Sequence, residues 1–132
     1  MRGPVVCARG LEKTYGRGRA AVKVLDGADL DVAAGELVAV FGRSGSGKST
    51  LLHLLGGLDA ADAGTIEVAG TRLDRAREAA LVELRRQKVG FVFQAFHLLP
   101  ELTGLENVLL PARLIRDRNG AVEAAAGHAL RR

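Results

Sequence analysis

The run Gly42-Arg43-Ser44-Gly45-Ser46-Gly47-Lys48-Ser49-Thr50 carries the spacing G-x-x-x-x-G-K-[ST] of a phosphate-binding loop. Its residue types suit that chemistry. Gly42, Gly45 and Gly47 let the backbone curl until successive N–H groups converge on one anion. A helix starting at the end of the loop adds free N–H groups and its positive dipole end. Lys48 offers a mobile ammonium to β- and γ-phosphates, and the Ser49 hydroxyl is a hard oxygen suited to Mg²⁺. A glycine- and serine-rich turn with a chance lysine is the plainer alternative. The flanks speak against it, because the apolar residues 37–41 precede the loop and the leucine-rich residues 51–55 follow it. Strand, loop and helix fall in order, so the expected ligand is a nucleoside triphosphate.

Several elements must hold that loop. Residues 5–8, 22–25 and 28–32 read as short strands, the last alternating Ala28, Leu30 and Val32 against Asp29 and Asp31. A turn over 33–36 leads into 37–41, which is apolar throughout and reads as a buried strand of a parallel sheet. Gly56 and Gly57 stop the helix that leaves the loop, and residues 65–68 form a strand ended by Gly70. Ala76, Ala80, Leu81 and Leu84 fall at helical spacing, which predicts an amphipathic helix over 74–88. Residues 89–93 are a second apolar run of strand length, followed by Gln94. Helices are expected over 105–115 and 122–130, the first kinked or divided at Pro111. Gly16, Gly18 and Ala21 match a dinucleotide fingerprint by letter, yet strand-like residues follow them, so a loop with chance glycines is the better reading. His53 sits on an apolar helix face and reads as packed, while His97 and His128 have no evident partner.

The 132 residues are one domain's worth, and 48% apolar with 26% charged residues is an ordinary globular composition. A single cysteine, Cys7, excludes an internal disulfide and fits a reducing compartment. Residues 1–4 do not resemble a signal peptide, and no apolar stretch approaches the roughly 18 residues of a membrane span. A cytoplasmic chain is therefore expected, reaching a membrane only through a partner. The net charge of +4 raises nucleic acid as a partner. However, the basic residues are interleaved with acids, as over 74–78 and 113–118, and aromatics are only 4%, so no nucleic-acid surface is expected.

Beyond the loop, Gln94 and the text FVFQAFHLLPELTGLENV around it resemble the ATP-binding subunits of ABC transporters. The run LLHLLGGLDAADAGTIEVAG over 51–70 and the Tyr15-Gly16 turn are similar to the branch serving lipoprotein release and macrolide-type export. The resemblance implies an α/β fold, a P-loop nucleotide-binding core with parallel strands plus an N-terminal antiparallel β subdomain. It implies ATP and Mg²⁺ as cofactors, with Gly42 through Thr50 around the phosphates and Tyr15 stacked on adenine. Thr50 would touch the α-phosphate, or equally cap the helix. Lys48 and Gln94 would serve catalysis, with Ser49 and Gln94 as metal ligands. Residues 94–102 would meet a membrane-spanning subunit, with Phe96, Leu98 and Leu99 either in that groove or in a core. A second ATP-binding subunit would complete a homodimer, peripheral on the inner face of the plasma membrane.

The same family carries a Leu-Ser-Gly-Gly-type signature loop, a hydrophobic strand ending in Asp-Glu, and a later switch histidine. None of these has a counterpart in the 132 residues. The whole chain, 1–132, is therefore expected to be the N-terminal part of an ATP-binding domain, incomplete at the C-terminus. Such a piece should bind ATP without hydrolysing it, although the family it resembles couples hydrolysis to export. The alternative is a non-hydrolysing nucleotide-binding module or a non-functional fragment. A kinase or GTPase would need a catalytic Asp or a guanine-reading Asn-Lys-x-Asp, and neither appears.

Overall fold

The structure, a computed structural model, describes residues 3–95 and 97–114. Phe96, Ile115, His128 and the helix expected over 122–130 lie outside the described residues. The chain divides between Phe91 and Val92 into two compact units.

Four antiparallel strands build the sheet of the first unit: β1 (Val6–Tyr15), β2 (Val22–Val32), β3 (Ala63–Val68) and the short β4 (Thr71–Arg72). Their order is β2-β1-β3-β4, so β1 lies inside the sheet with a partner on each flank. The expected N-terminal antiparallel subdomain is present, with longer strands than the sequence suggested. A register shift between Ala8 and Leu11 explains the length. These two buried residues are spaced by three, which strict alternation would place on opposite faces. The shift lets both face the core. At the shift Gly10 adopts φ 58 and donates its N–H to Asp29 Oδ1 at 2.6 Å. Opposite it, Gly64 has φ 93, and a Cβ there would stand 2.5 Å from the Gly10 carbonyl oxygen, so only glycine fits this crossing. A further shift at Gly27 joins the two short strands expected over 22–32 into one.

Helix α1 (Lys48–Leu55) lies on this sheet. Its Leu54 is fully buried and joins Ala8, Leu11, Leu25, Ile66, Val68 and Leu84 in the core, with Leu51 and Leu55 packed at the margin. Burying one such leucine contributes about 1.5–3 kcal/mol. Leu84 comes from α2 (Glu78–Gln87), which is shorter than the helix expected over 74–88. The first residues of that span form a single 3₁₀ turn, Leu73–Arg75, instead. Asp74 is the reason. Its carboxylate accepts Arg72 Nε at 2.9 Å, Arg72 Nη2 at 2.8 Å and the Ile66 N–H at 3.2 Å, a local alternative to helical bonding.

The two apolar runs, read from sequence as buried strands of a parallel sheet, are not strands in the structure. Neither 37–41 nor 90–93 carries ladder hydrogen bonds among the described residues. Leu37 is 96% and Phe41 90% exposed. Apolarity on both faces suits a parallel strand only where neighbours cover its edges and helices its faces. Neither run is a strand of the described sheet. Phe91 packs on Gly56 at the end of α1, so close that a Cβ on Gly56 would meet its ring at 2.1 Å.

In the second unit, α3 (Gly104–Leu114) opens with a reciprocal cap. The Glu106 N–H reaches Thr103 Oγ1 at 3.2 Å, while the Thr103 N–H reaches Glu106 Oε2 at 2.9 Å. The helix continues through Pro111 rather than dividing there, forgoing the N–H bond that position would give.

Arg72 beside it, helped by the Ile66 amide, holds the Asp74 carboxyl down to about 2. The ordinary aspartate value is near 3.9, so this ion contributes stability above about pH 4 that is lost as pH falls through about 2. Asp74→Asn is expected to lower unfolding stability at pH 7 by about 1–2 kcal/mol and to flatten the loss between pH 4 and 2. Urea unfolding at both ends of that window checks it; an unchanged acid slope would remove Asp74 from the account.

Candidate functional site

The loop before α1 has the backbone its sequence called for. Gly45 and Gly47 adopt φ 79 and φ 89, in the left-handed region. The Ser46 N–H donates to the Arg43 carbonyl at 3.2 Å and closes a turn over 43–46. Gly47 is the N-cap of α1, and no side chain caps the helix. The first helical bond runs from the Leu51 N–H to Gly47 O at 2.8 Å, so the amides just before Leu51 are the orphan donors of a helix start. Thr50 is therefore not the cap, contrary to one of its two expected roles.

Glycine at position 47 is set by packing as well as by conformation. A Cβ there would stand 2.9 Å from the Val24 carbonyl oxygen and 3.1 Å from Leu25 Cδ2. The loop thus rests directly on β2, at the ladder position where Leu25 faces Lys13 of β1. Lys48 folds back over the loop, its ammonium donating to Gly42 O at 2.8 Å, Arg43 O at 2.7 Å and Ser46 Oγ at 3.3 Å. A cation and the orphan amides of a helix start share one exposed surface. That surface can take a multiply charged anion.

Tyr15 ends β1, opposite Val22 and close along the ladder to the Lys13–Leu25 pair beneath the loop. It is 42% exposed, and its hydroxyl donates to Asp59 Oδ2 at 2.8 Å. Asp59 also accepts from Lys13 Nζ at 2.8 Å, and Lys13 holds the carboxyl below its usual range. Lys13 is the buried charged residue of the described structure, and Asp59 in turn raises its pKa. Sequence reasoning missed both residues. The signal was available in the alternation Leu11, Lys13, Tyr15, which puts a lysine on the core side of a strand.

Gln94 is exposed in a bend of the second unit. After it Leu98 and Leu99 are exposed, which excludes ordinary core packing for them among the described residues. The loop to α3 is tied down by Asn107, which accepts the Leu99 N–H at 2.8 Å and donates to the Leu99, Leu102 and Thr103 carbonyls at 3.0–3.1 Å. His53 and His97 are exposed, so the packed role expected of His53 is not met. His97 makes an edge contact with Phe93 at 4.7 Å between ring centres.

The chain is 53% identical over 126 residues to the lipoprotein-releasing system ATP-binding protein LolD of Xanthomonas oryzae pv. oryzae, covering 96% of this chain and 50% of that protein. It is 51% identical over 114 residues to LolD of Xylella fastidiosa, covering 86% and 48%. The chain thus spans about half the length of the curated relatives it matches. Among solved structures, the dimeric post-hydrolysis state of the ATP-binding cassette MJ0796 bound to ADP and Pi superposes with a TM-score of 0.85 at 35% identity. That match covers 96% of this chain and 56% of the other. The dimeric structure of MJ0796, a bacterial ABC transporter cassette, gives 0.78 at 38% identity, over 83% and 47%. Residues 25–132 match the ABC transporter family, and that span begins at the Leu25 on which the phosphate loop rests. The chain belongs to the ABC transporter family.

Proposed function

We propose that this chain is the N-terminal part of the ATP-binding subunit of an ABC exporter, and that alone it binds ATP without hydrolysing it. The observation that carries the reading is the uncapped start of α1, with the Lys48 ammonium held over a loop of left-handed glycines. Gly42 through Thr50 enclose the phosphates, and the carbonyls now accepting from Lys48 give way to β- and γ-phosphate oxygens, which make stronger charge-assisted bonds. Tyr15 provides the face for the adenine.

Mg²⁺ fits the donors at hand. Ser49 is an exposed hydroxyl in the first turn of α1, and the described residues contain no cluster of three or more His, Cys, Asp or Glu. A cation held there takes most of its oxygens from phosphate and water, which is the habit of Mg²⁺. Ser49 would be its protein ligand in the first unit. When bound, the ion neutralises charge on the phosphates. The residues' own part is to seat the triphosphate and to orient the terminal phosphate.

Exposed Gln94, Leu98 and Leu99, with the following loop braced by Asn107, support docking of a membrane-spanning subunit, with Leu98 and Leu99 in an apolar contact. A second ATP-binding subunit completes the working unit, as the dimeric MJ0796 cassettes suggest. Likeness to LolD favours a lipoprotein-releasing system as the setting, on the inner face of the membrane. No described helix is long and apolar enough to cross a membrane. Coverage of about half of each relative is in keeping with a part of such a domain.

Lys48→Ala is expected to weaken a fluorescent ATP analogue by about 100-fold, the loss of a charge-assisted contact to the phosphates. Unchanged affinity would overturn the loop's assignment. The 132-residue chain with Mg²⁺ and ATP is expected to release no phosphate above buffer. Turnover that survives stringent purification and vanishes in Lys48→Ala would show that the missing signature loop and Asp-Glu strand are dispensable.

A further inference from the structure

Lys13 and Tyr15 lie on one face of β1 and converge on a single carboxylate. Tyr15 donates to Asp59 Oδ2 and Lys13 to Asp59 Oδ1, each at 2.8 Å. Lys13 donates also to the Ala60 carbonyl at 2.7 Å, and its ammonium stands 5.2 Å from the centre of the Tyr15 ring. The turn that carries Asp59 is stapled to β1 again at Asp62. The Thr14 N–H reaches Asp62 Oδ2 at 2.6 Å, and the Asp62 N–H reaches Glu12 O at 2.9 Å. This turn is the chain that leaves the C-terminus of α1, the helix whose N-terminus opens the phosphate loop.

An exposed tyrosine at the end of a strand ordinarily samples several rotamers, and ordering one on binding carries an entropic cost. Here the ring is fixed at its edge by a hydrogen bond to an ion and covered in part by a cation, while 42% of the residue stays open. The geometry points to Asp59 as a positioning residue for the nucleobase. By gripping Tyr15 and Lys13 together it sets the plane on which the base stacks, at a fixed offset from the loop that takes the phosphates. This inference rests on the phosphate-loop reading above. Asp59 touches no ligand and acts only through Tyr15.

The test separates base from phosphate. ATP and inorganic tripolyphosphate are titrated calorimetrically into the full chain, into Asp59→Ala and into Tyr15→Phe, which keeps the ring and removes only the hydroxyl. Each variant is expected to bind ATP about tenfold more weakly, part of the value of a base–aromatic stack. Tripolyphosphate should hold within about twofold. The double variant should lose no more than Asp59→Ala alone, which already removes the partner of the Tyr15 hydroxyl. Should Asp59→Ala fail to fold, Tyr15→Phe carries the test unaided. ATP affinity unchanged in Tyr15→Phe, or an equal fall for both ligands, would overturn the inference and leave Asp59 a structural staple. If the unmodified chain binds neither ligand, the phosphate-loop reading itself has failed, and the positioning role with it.

Discussion

A lysine ammonium taken out of water governs how the first unit is put together. The Lys13 side chain is only 10% exposed. An unpaired charge in that setting would cost several kcal/mol. Asp59 and the Ala60 carbonyl meet two of its three donors, so the turn after α1 has to sit against β1. Asp59 stays ionised because Lys13 and the Tyr15 hydroxyl both favour its charged form. From this pairing follow the seat of the turn, the end point of α1 and the fixed position of Tyr15.

Helix α1 then acts as a strut between two anchor points. Its start rests on β2 through Gly47, and the turn beyond its end is held to β1 through Asp59. The helix is short, about 12 Å over Lys48–Leu55, and Leu54 beneath it fixes its height above the sheet. Phosphate loop and tyrosine are thus positioned by the same rigid element. A site built on a packed helix and a central strand holds its geometry better than one carried on free loops.

The sequence made the phosphate loop legible because its glycine spacing encodes backbone angles directly, and Gly45 and Gly47 adopt them. The antiparallel sheet was legible only in pieces. Positive φ at Gly10 and Gly27 shifts the register, and alternation read without those shifts breaks one strand into two. Asp74 hid a turn inside a helical pattern, since its carboxylate binds Arg72 and the Ile66 N–H of β3, contacts that periodicity does not count. Residues 37–41 and 89–93 misled in another way. Their composition describes the surroundings a strand needs, and composition cannot supply those surroundings. The Thr103–Glu106 cap of α3 was readable from its spacing and went unread. The site in the first unit was half legible, loop and tyrosine being apparent and the ion pair that holds them not.

The position of β1 between a near and a distant partner imposes an order of assembly. Pairing with β2 closes only residues 16–21, a local hairpin. Pairing with β3 must also close the chain from 33 to 62, which is about 1–2 kcal/mol more costly in loop entropy. That longer closure contains the entire phosphate loop and α1. The hairpin that carries Lys13 and Tyr15 can therefore close before the anion site exists. The site appears only when β3 docks and the intervening chain is drawn over the sheet.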